Sequence, residues 1–165
     1  DRWEIPVSPW RTDGEHVLVC AQRGFGYNRM AMPNDWPQAI LPALRSATKR
    51  PLWFRAHPKL REPQKPRGYD KLCDISKPLA EDLRNAHACV VYTSGVATHA
   101  LLAGVPVFYT GPTMLAADAC QKGIDDLEAP WLGDRLSALR RLAWSHWSMD
   151  EIRDGEAVRW LTNRP

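Results

Sequence analysis

The stretch ACVVYTSGVATHALLAGVPVFYT, Ala88–Thr110, decides how this chain folds. Its opening residues, Ala88–Tyr92, form an apolar, valine-bearing run of strand length. Thr93-Ser94-Gly95 breaks that run with turn residues. Val96–Ala103 reads as a short helix that Gly104 stops. Pro106 then opens a second buried strand, Pro106–Tyr109, where a missing N–H matters little. Strand, helix and strand in this order make a βαβ unit. The start of its helix offers N–H groups and a positive dipole end, which suit a phosphate. A nucleotide-type ligand is therefore expected.

The flanking sequence extends the same alternation. Val17–Ala21 (VLVCA) is a continuous apolar run of the kind buried on both faces, and Pro51–Ala56 (PLWFRA) is a second strand candidate. A polar, glycine-bearing loop, Gln22–Arg29, follows the first. Trp36–Thr48 has helical spacing at Ile40, Leu41 and Leu44, with Asn34 or Asp35 as cap and Pro37 in the first turn. Pro42 is costly inside that helix. Lys59–Lys71 is a long, basic, proline-rich loop, Ile75 belongs to a very short strand or an extended link, and Pro78–Ala86 reads as a helix. Thr113–Gln121 is either one helix or a loop carrying a helical turn. Arg135–Trp144 is amphipathic, and Ser148-Met-Asp-Glu151 is a capping box that predicts a helix over Met149–Leu161.

Strands alternating with helices predict an α/β fold: one parallel sheet with helices on both faces, as a single domain over residues 1–165. Residues 1–15 form an irregular lead-in and 134–165 the C-terminal helices. The chain length fits one domain, and 44% hydrophobic with 25% charged residues fits a globular core. No apolar run is long enough to span a bilayer, the first residues lack a signal-peptide core, and the start without Met reads as a trimmed chain. Cys20, Cys73, Cys89 and Cys120 match no zinc spacing and read as reduced packing residues, so a cytoplasmic location is expected. The net charge of +3 fits an anionic ligand. It lacks the dense basic stripe of a typical nucleic-acid binder, leaving nucleic acid a weaker alternative.

In a parallel α/β sheet, ligands sit beyond the C-terminal strand ends. Four loops are expected to converge there: Gln22–Asn28, Arg55–Lys59, Thr93–Val96 and Tyr109–Thr113. Thr93 and Ser94 supply hydroxyls and Gly95 a pliant backbone for a phosphate; the alternative is an ordinary N-cap serine in a tight turn. His57 closes the second strand, where an imidazole donates to phosphate or ribose, or takes a proton. Arg55 and Lys59 flank it as anion ligands, and Arg23 has the same reading after the first strand. The alternative for these residues is a backbone-satisfied histidine among solvated cations. Gly24-Phe-Gly26 is only a fragment of the dinucleotide fingerprint, because Arg29 stands at its third glycine position, and no P-loop is present. His16, His87 and His146 read as structural or exposed, Trp144, Trp147 and Trp160 as packing residues, and Asp125, Asp126 and Glu128 as a solvated loop. No metal or cofactor is called for.

The chain resembles the nucleotide-sugar-binding, Rossmann-like half of the GT-B glycosyltransferases. RAHPK at Arg55–Lys59 and SGVATHALLAGVPVF at Ser94–Phe108 carry the resemblance, the latter run being similar to S-x-x-x-x-E-A-L-x-x-G-x-P-V. The His-Pro pair is similar to that of capsule-type transferases, including β-Kdo, sialyl- and polyol-phosphate transferases. The run Trp147–Ala157 is similar to phage-encoded proteins of this general kind. The resemblance, over Val17–Thr110, implies His57, Ser94 and Gly95 near the donor phosphates and Gln22, Arg23 and Gly24 at the cleft. It also implies a ribose contact at His99, which stands where the family has glutamate. A GT-B enzyme has two such domains and this chain has one. The resemblance therefore implies a fragment, a partner subunit or second copy supplying the acceptor domain, or a binding module that no longer catalyses.

Overall fold

The computed structural model describes residues 5–25, 27 and 30–163. The strands are β1 (His16–Cys20), β2 (Leu52–Arg55), β3 (Lys71–Leu72), β4 (Ala86–Val91), β5 (Val107–Tyr109) and β6 (Gln121–Lys122). All pair in parallel, in the order β3-β2-β1-β4-β5-β6. This is the doubly wound order of Rossmann-like sheets: the chain builds one half outward from β1, then returns to build the other half from β4. The helices are α1 (Trp36–Ala39), α2 (Leu41–Ala47), α3 (Leu79–Leu83), α4 (Val96–Leu102), α5 (Leu136–Ser145), α6 (Met149–Arg153) and α7 (Glu156–Thr162).

Strand alternation assigns two cores. Val17, Val19, Leu52, Phe54, Ala88, Val90 and Phe108 face α1 and α2 through Trp36, Ile40, Leu41 and Leu44. Leu18, Cys20, Cys89, Val91, Val107 and Tyr109 face the other side, against Leu83, Ala97, Ala100, Leu101 and Ala138. Helices thus cover both faces, and β1, β4 and β5 are buried throughout, as the apolar runs predict. No described helix is long and apolar enough to cross a membrane.

Several boundaries differ from the sequence reading. The helix expected over Trp36–Thr48 is two helices meeting at Ile40, with Pro42 in the first turn of the second. Proline lacks the N–H that would continue the ladder, and its ring collides with the preceding turn. The helix expected over Met149–Leu161 opens on the predicted capping box, then breaks at Gly155, whose φ of 73° is left-handed. Thr113–Gln121 takes the second of its two expected forms, a loop carrying a helical turn (the 3₁₀ turn Ala117–Ala119), before β6. The short strand on the far edge is Lys71–Leu72 rather than at Ile75.

The lead-in is anchored. Ser8 N–H donates to the Leu102 carbonyl at 2.9 Å and Arg11 N–H to the Gly104 carbonyl at 2.8 Å. Gly104 has φ 77°, and a Cβ there would fall on the Pro9 carbonyl oxygen, so only glycine admits this crossing. Trp10 Nε1 donates to the Gly133 carbonyl at 3.0 Å. The Arg135 guanidinium lies 3.9 Å from the Trp10 ring centre and donates to the Ser8 carbonyl. Residues 8–11 therefore tie the end of α4 to the start of α5.

Candidate functional site

Strand order reverses between β1 and β4, so the chain leaves their C-terminal ends in opposite directions, the place where sheets of this order form a ligand crevice. Gln22, following β1, spans it. Its Oε1 accepts from the Thr93 N–H at 3.1 Å and lies 3.0 Å from the Thr93 hydroxyl, while its Nε2 donates to the Met30 carbonyl at 2.8 Å. The Thr93 hydroxyl is also 3.0 Å from that carbonyl. Gly111, at the end of β5, packs so closely on Thr93 that a Cβ would fall on the threonine methyl. Trp36 Nε1 donates to Thr110 Oγ1 at 2.8 Å beside them, and its ring meets Tyr92 edge-on at 6.0 Å. Gln22 and Thr93 thus form the crevice floor and close the loop after β1 onto it.

The basic wall stands over β2. His57 is half-buried, and its Nδ1 accepts from the Lys59 N–H at 3.1 Å. That contact leaves the ring proton on Nε2, where it is a donor. Burial, together with the charges of Arg23 and Lys59, holds the imidazole below its ordinary value of 6.5. Arg23 and Lys59 are exposed, and the Arg23 guanidinium lies 5.7 Å from the Phe25 ring centre. The neutral ring therefore presents an N–H in a neighbourhood that holds two cations. Gly24, with φ 75°, turns the chain at this point.

Arg55 and His57 part company. Both belong to RAHPK, yet Arg55 lies within the sheet and faces α3. Its Nη1 pairs with Asp82 Oδ2 at 2.5 Å and its Nη2 donates to the Lys77 carbonyl at 2.7 Å, with both charged side chains buried. The arginine is a tie between β2 and α3. Ser94 Oγ accepts from the Val96 N–H at 3.3 Å, serving the local turn, and Gly95 is the exposed N-cap of α4. His99 lies on the exposed side of α4 in a separate hollow of about 250 Å³ with Arg11, Leu83 and Arg84. The structure therefore joins Gln22 to Thr93 and sets His57 near Arg23 and Lys59, all on the loops that follow β1, β2 and β4, with Gly24 beside Arg23 and Ser94 and Gly95 following Thr93. It sends Arg55 and His99 elsewhere. Gly26, Asn28 and Arg29 lie outside the described residues.

Sequence reasoning overlooked Asp82, Trp36 and Thr110. A lone arginine inside an apolar strand signals that some acid must come to meet it; the Trp36–Thr110 contact joins distant segments and leaves no local mark. Cys20 and Cys73 lie buried near Asp82. The Cys89 contact and burial push the Cys20 thiol up, and burial pushes Cys73 up to about 12, which makes both unreactive. Among the described residues no group of histidine, cysteine, aspartate and glutamate is arranged to hold a metal ion. Comparison with protein-family models and with curated protein sequences finds no match.

Proposed function

We propose that the crevice binds a nucleotide-activated sugar and that the chain is a glycosyltransferase-like donor domain. The observation that carries this reading is His57 just past the C-terminal end of β2, its Nδ1 taken by the Lys59 N–H and its ring near enough to Arg23 and Lys59 for both charges to act on it. In transfer, an acceptor hydroxyl attacks the anomeric carbon, its proton passes to water, and the nucleotide leaves with the bonding pair on its phosphate. His57 Nε2–H and the two cations stabilise that developing charge, which is how such a site lowers the barrier. With Nδ1 engaged by Lys59, His57 serves as donor rather than as the base that deprotonates the acceptor.

The second reading is a binding module without transfer. It is favoured by the loops themselves: residues 21–25, 56–59, 92–95 and 110–113 carry no carboxylate to activate an acceptor. Calorimetric titration with UDP, CMP and GDP, followed by assays with the matching sugar donors and candidate acceptors, separates the two. Binding with turnover supports the transferase, binding without turnover supports the module, and failure of every nucleotide to bind overturns both.

A further inference from the structure

The segment joining β2 to β3 is a basic strap. Between Ala56 and Asp70 it carries Lys59, Arg61, Lys65 and Arg67, all exposed, against Glu62 as its one acid. None of the four forms an ion pair among the described residues. The strap is held in place. Arg67 N–H donates to Gln38 Oε1 at 3.1 Å, Gln38 Nε2 returns a bond to the Arg67 carbonyl at 3.3 Å, and Arg45 Nη2 reaches the Gly68 carbonyl at 2.7 Å. Tyr69 OH donates to the Pro37 carbonyl at 2.6 Å. Pro63 and Pro66 restrict the backbone between the cations. At its crevice end the strap meets His57, near which Arg23 also lies.

Beyond Arg23 stand Phe25 and Tyr27, 76% and 81% exposed. Exposed rings on the loop that carries Arg23, with a cation-rich strap beginning near the His57 on which Arg23 acts, suit one kind of polymer: phosphates take the cations and bases stack on the rings. An acidic peptide would use the charges and leave the rings idle. A membrane-lying segment combines its cations with apolar residues on the same element, and no large hydrophobic residue of this strap is exposed.

We propose that Arg23, Phe25, Tyr27 and the Lys59–Arg67 strap form a binding surface for single-stranded nucleic acid. The surface adjoins the crevice but does not depend on which small ligand the crevice takes.

The test is fluorescence anisotropy of a labelled oligothymidylate with the full chain across a salt series. Contacts to three to five phosphates give a log–log salt slope of about −2 to −3.5. The variant R61A/K65A/R67A loses about 2 from that slope and binds roughly tenfold or more weakly, with its melting temperature unchanged. F25A and Y27A weaken oligothymidylate binding several-fold and leave inorganic polyphosphate binding as it was. No binding at low salt overturns the proposal. So does equal competition by polyphosphate with no effect of F25A or Y27A, which marks a general anion surface. Tighter binding to duplex, or to vesicles of anionic lipid, overturns it in favour of those ligands. The triple variant leaves every crevice residue intact, so a failure here and a failure of the nucleotide titration are read separately.

Discussion

Arg55 Nη1 lies 2.5 Å from Asp82 Oδ2, with 8% and 9% of the two side chains exposed, so β2 and α3 are joined by a buried ion pair. Removing one partner strands the other charge in a medium that cannot solvate it. Asp82→Ala is expected to cost about 3–5 kcal/mol, read from urea unfolding. The double variant R55M/D82L removes both charges and is expected to be more stable than D82A. A double variant no better than the single would show that the hydrogen bonds to the Asp74 and Lys77 carbonyls, rather than the pair, hold these elements together.

His57 gives a binding prediction with a sign in pH. Its pKa in the free protein is lowered by burial, Arg23 and Lys59. A bound phosphate favours the charged imidazole, so binding takes up a proton at Nδ1, which gives up its bond from the Lys59 N–H. Affinity for a nucleotide therefore rises as pH falls through the bound-state pKa and levels off below that of the free protein. Calorimetry in buffers of different ionisation enthalpy counts the proton. His57→Ala is expected to weaken binding several-fold, abolish the uptake and leave the melting temperature nearly unchanged. Lost stability with intact binding would make His57 a packing residue.

His16 and His87 set a pH dependence of stability. Each is buried, with Nε2 on a backbone carbonyl (Asp82 at 2.9 Å, Leu127 at 3.0 Å) and Nδ1 without a partner among the described residues. The ring is neutral with its proton on Nε2, and a second proton would have no acceptor. Burial lowers both pKa values from 6.5. The unfolded chain therefore takes up protons that the folded chain refuses. Stability is full above about 6.5, falls as pH drops through that value, and levels off below the folded-state pKa. His57 adds to the same trend. Urea midpoints on either side of that pH measure the slope, and the variants H16N and H87N are each expected to reduce it.

The Gln22–Thr93 bridge holds the loop after β1. Thr93→Val keeps the shape but removes the hydroxyl, and Gln22→Ala removes the span altogether. The first is expected to cost about 1–2 kcal/mol. Both are expected to speed hydrogen exchange in the segment between Gln22 and Met30, with the strands unaffected. Faster exchange spread evenly over the sheet would mean that the bridge supports the whole fold rather than this loop.

The central sheet was legible because β1, β4 and β5 are buried on both faces and must be written in apolar residues. The edge strands Lys71–Leu72 and Gln121–Lys122 pair on one side only, so polar residues suffice and no pattern betrays them. Convergence of the loops followed from the parallel order. The separation of Arg55 from His57 did not, because it is decided by Asp82, 27 positions away on another element. His99 was misplaced for a related reason. The phase of α4 buries Ala97, Ala100 and Leu101 and turns His99 outward, toward the hollow beside α3.

Residues 8–11 have a consequence for the order in which this protein takes shape. Ser8 meets Arg135 across 127 positions of chain. During synthesis the lead-in leaves the ribosome early, yet its seat between α4 and α5 is incomplete until Arg135 has followed. The sheet from β1 to β5 can pair before then, and closing so long a loop costs entropy that only an assembled sheet can offset. Ser8 and Arg135 can thus meet only after every strand between them has been made.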